Sequence, residues 1–438
     1  MSDSAAPNAT LLPVPQRRPD RLTHYLFRYP AKFHPPVVSA LLDRYTRPGD
    51  LVLDPFVGSG TALVEASVLG RRSVGVDVDP VAVEVSRAKT RRYDVAKAHR
   101  ASKKLLDQLL PFERNESDYA ELMFEDISDE AMNECLAHEG LWIPAIPRLG
   151  HWFRRYVTVD LARIVHAIDA TRMDAKSRLL LRIVLASIIR NASNADPVPV
   201  SGLEYTSHMR RRDEEGRLVN VYALFRGALQ KALAAIEEYA RSVVVDLPEP
   251  VVLCGDATRL PHQLPTEVDA VLTSPPYHNA VDYYRRHQLE VFWLGLTASQ
   301  ADRHRLLPQY IGRPRVAQTT PLLQLPWQPG PLAAHWETRI REVSSTRAND
   351  FRHYSQAMAL SFAQLAKIVR AGSPVILVVG HSTWNGYELP TADLLQELAG
   401  QFELSELFYY PIKNRYMSYT RHNQASIEKE YVLVFKRR

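Results

Sequence analysis

Two short stretches of this 438-residue chain carry residue types that suit ligand chemistry more than packing. The first is Ser274-Pro275-Pro276-Tyr277, directly after the strand-like run 268–273. Neither proline can donate a ladder hydrogen bond, so a central strand has to stop there. Each also fixes its own φ and restricts the residue before it. Ser274 and Tyr277 therefore sit on a stiff turn at the carboxyl end of a strand, the place where open α/β sheets bind ligands. The plain alternative is a rigid strand-end turn with no ligand.

The second stretch, Asp54–Thr61 (DPFVGSGT), follows a strand and opens a helix. Gly58 and Gly60 let the backbone turn sharply and come close to a ligand. A dinucleotide fingerprint wants a third glycine where this chain has Leu63, and a P-loop wants a lysine that is absent after Gly60. The loop thus suits a nucleoside-bearing ligand with no pyrophosphate to cradle. Asp54, at the end of the first strand, is placed to accept a hydrogen bond from a ligand ammonium. Asp77 ends the second strand, about twenty residues on, where a carboxylate holds ribose hydroxyls. A glycine turn with a capping aspartate is the alternative, and Asp77 weighs against it.

The elements that position these residues read as follows. Residues 1–20 form a flexible Ala/Pro/polar tail. "RYPAKFHPPVVSALLDRYT" enters a helix at Pro35-Pro36. Leu51–Leu53, Thr61–Leu69 and Ser73–Val76 read as strand, helix and strand, a βαβ unit that demands a parallel sheet. One helix is expected from Val81 to about Leu110. No α/β alternation follows until about Glu249, and 94–242 reads as a mostly helical insertion. The sheet resumes at "VVLCGDATRL" and "VDAVLTSPPY". A helix is expected over "YYRRHQLEVFWLGL", then a Pro-rich loop insertion at 297–345. Helix, strand and helix follow, and "LSELFYYPI" and "EYVLVFKRR" form an antiparallel pair. The expected fold is α/β: a doubly wound, mostly parallel, Rossmann-like sheet with an antiparallel C-terminal strand, its catalytic domain spanning 21–93 and 243–438.

In order along the chain, "DPFVGSGT", "GVDVDP", "GDAT" and "TSPPY" resemble the S-adenosylmethionine-dependent DNA amino-methyltransferases. Ser-Pro-Pro-Tyr is most similar to the N4-cytosine members; the N6-adenine members usually carry Asp or Asn at the position of Ser274. "AKFHPPV" resembles the segment that closes over the cofactor methionine. The resemblance covers about 21–90, 250–295 and 350–438, and the long insertion between "GVDVDP" and "GDAT" departs from many relatives; the resemblance makes 94–242 a candidate DNA-recognition region. It implies S-adenosyl-L-methionine as cofactor, held by Phe33, Asp54, Phe56, Gly58, Gly60, Thr61, Asp77 and Asp256. Asp256 also reads as a turn former beside Gly255, and the two phenylalanines also read as core.

The chemistry implied is methyl transfer to an exocyclic amine of a base. Such a nitrogen is a poor nucleophile because its lone pair is delocalised into the ring. A Ser274 oxygen and the Pro275 carbonyl would accept its two protons, Pro276 would stiffen the turn, and Tyr277 would stack on the base. The base has to be flipped out of the duplex. The expected function is N4-cytosine methylation of double-stranded DNA, beside a cognate restriction endonuclease or as an orphan modification enzyme. N6-adenine methylation, RNA guanine-N2 methylation and a non-catalytic nucleic-acid binder with a decayed cofactor site are the rival readings. Expected strand contacts are Arg285 and Arg286 in "DYYRRHQ", and Arg415, Tyr416, Arg421 and Asn423 in "KNRYMSYTRHNQ". "HMRRRDEEGR" is a further basic segment, and His381 and Trp384 are expected to line the cleft mouth.

Bulk composition agrees with this without deciding it. The chain is 46% hydrophobic and 24% charged, a globular profile, and its net charge of +5 is compatible with a polyanionic partner. Cys135 and Cys254 form neither a metal-ligand spacing nor a disulfide framework, so no metal is expected and a reducing cytoplasm is the expected setting. The N-terminal stretch lacks an apolar core and is not expected to act as a secretory leader. No run of about 18 apolar residues suggests a membrane span. Oligomeric state and target sequence are not encoded in any motif.

Overall fold

The computed structural model describes residues 9–14, 21–30, 32–197, 203–278, 281–385, 387–412 and 428–438. The chain opens with a two-residue strand, β1 (Thr10–Leu11), and then α1 (Pro35–Tyr45), whose first turn is Pro35-Pro36. Prolines fit there because a first-turn N–H has no intrahelical partner to lose. β2 (Leu51–Asp54), α2 (Thr61–Val68), β3 (Arg72–Asp77) and α3 (Pro80–Thr90) make the expected parallel βαβ unit. The single helix expected to Leu110 is broken. α3 ends at Thr90, and the Asp94 side chain caps a new helix, α4 (Val95–Leu109), by accepting the Lys97 N–H at 3.0 Å.

Helices then follow one another: α5 (Glu116–Phe124), α6 (Asp129–Glu139), α7 (Leu149–Trp152), α8 (Arg155–Ala170), α9 (Ala175–Ala192), α10 (Ser207–Glu214) and α11 (Val221–Ser242). β4 (Val251–Cys254) and β5 (Ala270–Thr273) resume the sheet. The helix expected after the Pro-Pro turn is two short pieces, α12 (Tyr283–Arg286) and α13 (Gln288–Trp293), which meet at His287. The Pro-rich segment is not a bare loop. It carries α14 (Gln300–Leu306), α15 (Pro321–Gln324) and α16 (Pro331–Val343), and Pro321 and Pro331 stand in first turns, where proline starts a helix. α17 (Ser345–Ile368), β6 (Pro374–Gly380), the hairpin β7 (Ser382–Trp384) and β8 (Tyr387–Leu389), α18 (Thr391–Leu398), β9 (Phe402–Pro411) and β10 (Lys429–Arg437) complete the described chain.

The eight strands of the main sheet run in the order β1-β9-β10-β6-β5-β2-β3-β4. β6, β5, β2, β3 and β4 are mutually parallel, while β10 is antiparallel to both β6 and β9. This is the doubly wound α/β class expected. One part of the expected tail is ordered: Thr10 and Leu11 pair in parallel with Phe408 and Tyr409, and Leu12 is buried. The reason lies at the far end of the sequence. β9 would otherwise leave a row of unpaired backbone groups at the sheet edge, and β1 pairs with them.

Alternate strand residues feed two cores. Val375, Leu377 and Val379 pack with Phe351, Met358 and Phe362 of α17, whereas Ile376 and Val378 pack with Val38 and Leu41 of α1. That period of two is what a central strand with helices on both faces needs. A third cluster joins α4, α8, α9 and α11 to Val81 and Val85 of α3 and to Phe292 of α13. The helical block is thereby packed against the edge of the nucleotide half of the sheet.

Candidate active site

The winding of the sheet reverses between β2 and β5, which lie side by side: Val52 pairs with Ala270 and Leu53 with Val271. Ligands bind at the carboxyl ends of strands at such a switch point. The two stretches singled out in the sequence are therefore neighbours in space. They are also bonded: the Thr273 hydroxyl donates to Asp54 Oδ1 at 2.6 Å, across 219 residues of sequence. The Phe56 N–H donates to the same oxygen at 3.1 Å.

Asp54 is 2% exposed, and no cation is bonded to it among the described residues. Burial pushes its carboxyl up to about 7, against the two hydrogen bonds and with help from the nearby Asp77. Asp77 is likewise pushed up to about 7, by burial and then by the charge of Asp79. The Asp77 carboxylate accepts the Gly58 N–H on Oδ2 at 2.8 Å and the Asp79 N–H on Oδ1 at 2.9 Å. Each oxygen keeps a lone pair for a ligand hydroxyl. The loop between is shaped by Gly60, at φ +76°; a Cβ there would lie 2.9 Å from Ser86 Oγ, which itself donates to the Gly58 carbonyl at 2.8 Å. Glycine is the residue that adopts this backbone and leaves that space.

One cleft of about 1030 Å³, counting the space at its open mouth, takes in both motifs. Phe33, Asp54, Phe56, Gly58, Thr61, Asp77 and Asp256 line one part of it, and Ser274, Pro275, Pro276 and Tyr277 line the other. Gly60 does not line it; it lies behind the loop against Ser86. Asp256 both caps its own turn, accepting the Thr258 N–H and hydroxyl at 2.8 Å, and borders the cleft. The donor set fits a cationic nucleoside. A buried carboxyl without a cation, a second carboxylate with free lone pairs and a buried Thr61 hydroxyl without a partner all face or border the space.

On the Ser-Pro-Pro-Tyr side, the Tyr277 hydroxyl donates to Glu430 Oε1 at 3.0 Å, and Tyr410 donates to the other Glu430 oxygen. Ser274 stands three residues before Tyr277 on the same turn and borders the same cleft. Gly312, from the Pro-rich segment, packs on the Tyr277 carbonyl so closely that a Cβ would fall 2.8 Å from that oxygen.

Sequence reasoning missed several groups here. Tyr29 and Tyr283 stack with ring centroids 5.5 Å apart and both border the cleft. His287 bonds Asp79 at 2.5 Å, which ties the segment after the Pro-Pro turn to the start of α3. Tyr283 lies in the aromatic-basic stretch already noted, and Tyr29 precedes "AKFHPPV", so a signal was present for both. Glu430 carries none, because its partners are set by sheet register.

The expected strand contacts divide. Arg285 is exposed, but Arg286 is only 3% exposed and the expectation that it reaches a DNA strand does not hold; it sits against α9, where Arg190 donates to its carbonyl at 3.1 Å. Arg415, Tyr416, Arg421 and Asn423 lie outside the described residues. In "HMRRRDEEGR", Arg211 is exposed while Arg217 is held by Asp213 at 2.6 Å. His381 does not border the cleft: it stacks on Tyr431 with centroids 4.4 Å apart and bonds Glu388. Trp384 belongs to β7, with its side chain outside the description. Among the described residues no three or more His, Cys, Asp or Glu side chains gather to hold a metal ion, and no helix is long and apolar enough to cross a membrane.

Comparison with known proteins points the same way. Residues 9–88 match the N6/N4 family model described as DNA methylase. The Type II methyltransferase M.MvaI of Kocuria varians is 22% identical over 422 residues, covering 90% of this chain and 85% of that protein. M.BsoBI of Geobacillus stearothermophilus is 24% identical over 300 residues, 64% of this chain and 54% of that one. M.MjaII of Methanocaldococcus jannaschii is 34% identical over 95 residues, 22% of this chain. The chain thus spans only 18% and about half of the lengths of the latter two.

Proposed function

We propose that this chain, a member of the DNA amino-methyltransferase family, transfers a methyl group from S-adenosylmethionine to the exocyclic N4 of a flipped-out cytosine in duplex DNA. What carries the reading is the junction of the two motifs: Ser274–Tyr277 and Asp54–Thr61 end adjacent strands, share one cleft and are linked by the Thr273–Asp54 hydrogen bond.

When bound, S-adenosylmethionine supplies an electrophilic methyl group on a sulfonium. Asp54 would hold the ammonium, Asp77 the ribose hydroxyls and Asp256 the adenine amine, while Phe33 and Phe56 would pack on the cofactor. The Ser274 oxygen accepts one amine proton of the base and the Pro275 carbonyl the other, drawing the nitrogen toward tetrahedral geometry and freeing its lone pair. The prolines keep both acceptors fixed, so the chain contributes mainly position and electrostatics. Tyr277 offers a ring face to the extruded base.

Serine at 274 favours cytosine, since the adenine-specific members usually have Asp or Asn there. The relatives are named Type II methyltransferases, which supports a modification role beside a restriction endonuclease. The Pro-rich segment borders the cleft through Gln309, Tyr310 and Ile311, while Arg190 of the helical insertion bonds the buried Arg286 after the turn; we assign recognition of the flanking DNA to these two insertions.

The test is cofactor binding by calorimetry followed by label transfer from S-adenosylmethionine to duplex DNA and, separately, to transfer RNA. Label in DNA is expected. Label confined to RNA would move the enzyme to another substrate class, and no cofactor binding would leave a binding protein.

A further inference from the structure

Glu430 is a carboxylate that the proposed chemistry leaves unused. It stands at the start of β10, paired with Gly380 at the end of β6 and with Tyr410 of β9, directly behind the Ser-Pro-Pro-Tyr turn. No cation is bonded to it among the described residues; its partners are two phenols, Tyr277 on Oε1 at 3.0 Å and Tyr410 on Oε2. Lys429 next to it lies over the rings of Tyr409 and Tyr431, and His381 is bonded to Glu388.

A phenol has one proton. With that of Tyr277 committed to Glu430, its oxygen is left as an acceptor, and Ser274 stands three residues before Tyr277 on the same turn and borders the same cleft. A Ser274 proton directed at Tyr277 leaves the serine lone pairs for the amine of the base. We propose that Glu430 is a positioning residue that sets this hydroxyl direction and takes up the proton released by the methylated amine. The inference rests on the reading given under Proposed function.

The step balances. A nitrogen–carbon bond forms as the carbon–sulfur bond breaks, with its electron pair leaving on sulfur. The nitrogen, now positive, gives a proton to Ser274 Oγ, whose own proton passes to Tyr277 and that of Tyr277 to Glu430 Oε1. The product is a neutral secondary amine, and Glu430 is left as a carboxylic acid, which gives the proton up to solvent between turnovers. Burial raises the Glu430 carboxyl above its ordinary range, while the two tyrosine donors oppose the rise. Only the carboxylate can accept, so the rate should fall as pH drops through that raised value.

The experiment measures single-turnover methyl transfer to duplex DNA by the full chain at saturating labelled cofactor, from about pH 5.5 to 9. Wild type, Glu430→Gln, Tyr277→Phe and the double variant are compared, with melting and cofactor affinity followed in parallel. Glu430→Gln is expected to be about 100-fold slower, to lose the acid limb and to keep its cofactor affinity. Tyr277→Phe should behave the same, and the double variant should be no slower than the slower single one. A folded Glu430→Gln protein with wild-type rate and acid limb overturns the proposal. Should Glu430→Gln fail to fold, an acid limb retained by Tyr277→Phe overturns it equally. A wild-type chain that binds cofactor but labels no DNA fails at the earlier step, overturning the activity itself and this proposal with it.

Discussion

Ser274 and Asp77 line different parts of one cleft, and on the proposed reading they serve different ligands, so their loss should separate binding from chemistry. Ser274→Ala is expected to lower methyl transfer about 100-fold with cofactor affinity little changed, since the proposed role of the serine is on the base. Calorimetry and single-turnover rates on the same variant check this; an equal loss of cofactor affinity would contradict it. Asp54 and Asp77 add a pH signature. Both carboxyls are raised to about 7, so they are largely protonated at pH 6 and ionised at pH 8. An ammonium and ribose hydroxyls prefer carboxylates, so cofactor affinity should rise across that interval. Asp77→Asn should weaken binding and reduce this dependence, and an affinity flat from pH 6 to 8 would count against both roles. The residues of these motifs were legible because their chemistry is local: a glycine loop, a strand-end acid and a proline pair declare themselves within eight residues. Glu430 was not legible, since its contact with Tyr277 spans 153 positions and depends on how β10 registers against β6.

The element that matters most is the pair of adjacent strands β2 and β5. Thr273, the last residue of β5, anchors Asp54 at the end of β2 and favours its ionised form. Thr273→Val keeps shape and removes the bond. It should cost about 1 kcal/mol of stability and move the pH midpoint of cofactor binding upward. Denaturant unfolding and calorimetry across pH measure the two effects, and an unchanged midpoint would show that the bond does not tune Asp54. The βαβ unit could be read from its strand-helix-strand pattern. β1 could not, because two residues carry no periodicity and the strand exists only as cover for β9. Nor could the helices of the Pro-rich segment, where prolines read as breakers although Pro321 and Pro331 act as helix starters.

For the whole molecule, the fold class followed from the alternation of strands and helices, while the sheet order did not, because it depends on crossovers around a long helical insertion. Net charge bears on the partner at this scale. A chain of +5 that grips a DNA backbone releases counterions, so its affinity for duplex DNA should fall at least about tenfold between 50 and 200 mM salt. A filter-binding or anisotropy titration at several salt concentrations measures this, and an affinity independent of salt would argue against a backbone grip.

The most direct test of the account identifies the modified nucleoside. Purified protein is incubated with labelled S-adenosylmethionine and mixed-sequence duplex DNA, which is then digested to nucleosides and resolved by mass spectrometry, with Ser274→Ala in parallel. The account predicts N4-methylcytosine from the wild type and little or none from the variant. N6-methyladenine would contradict the base assignment, and the absence of any methylated nucleoside from DNA would contradict the activity.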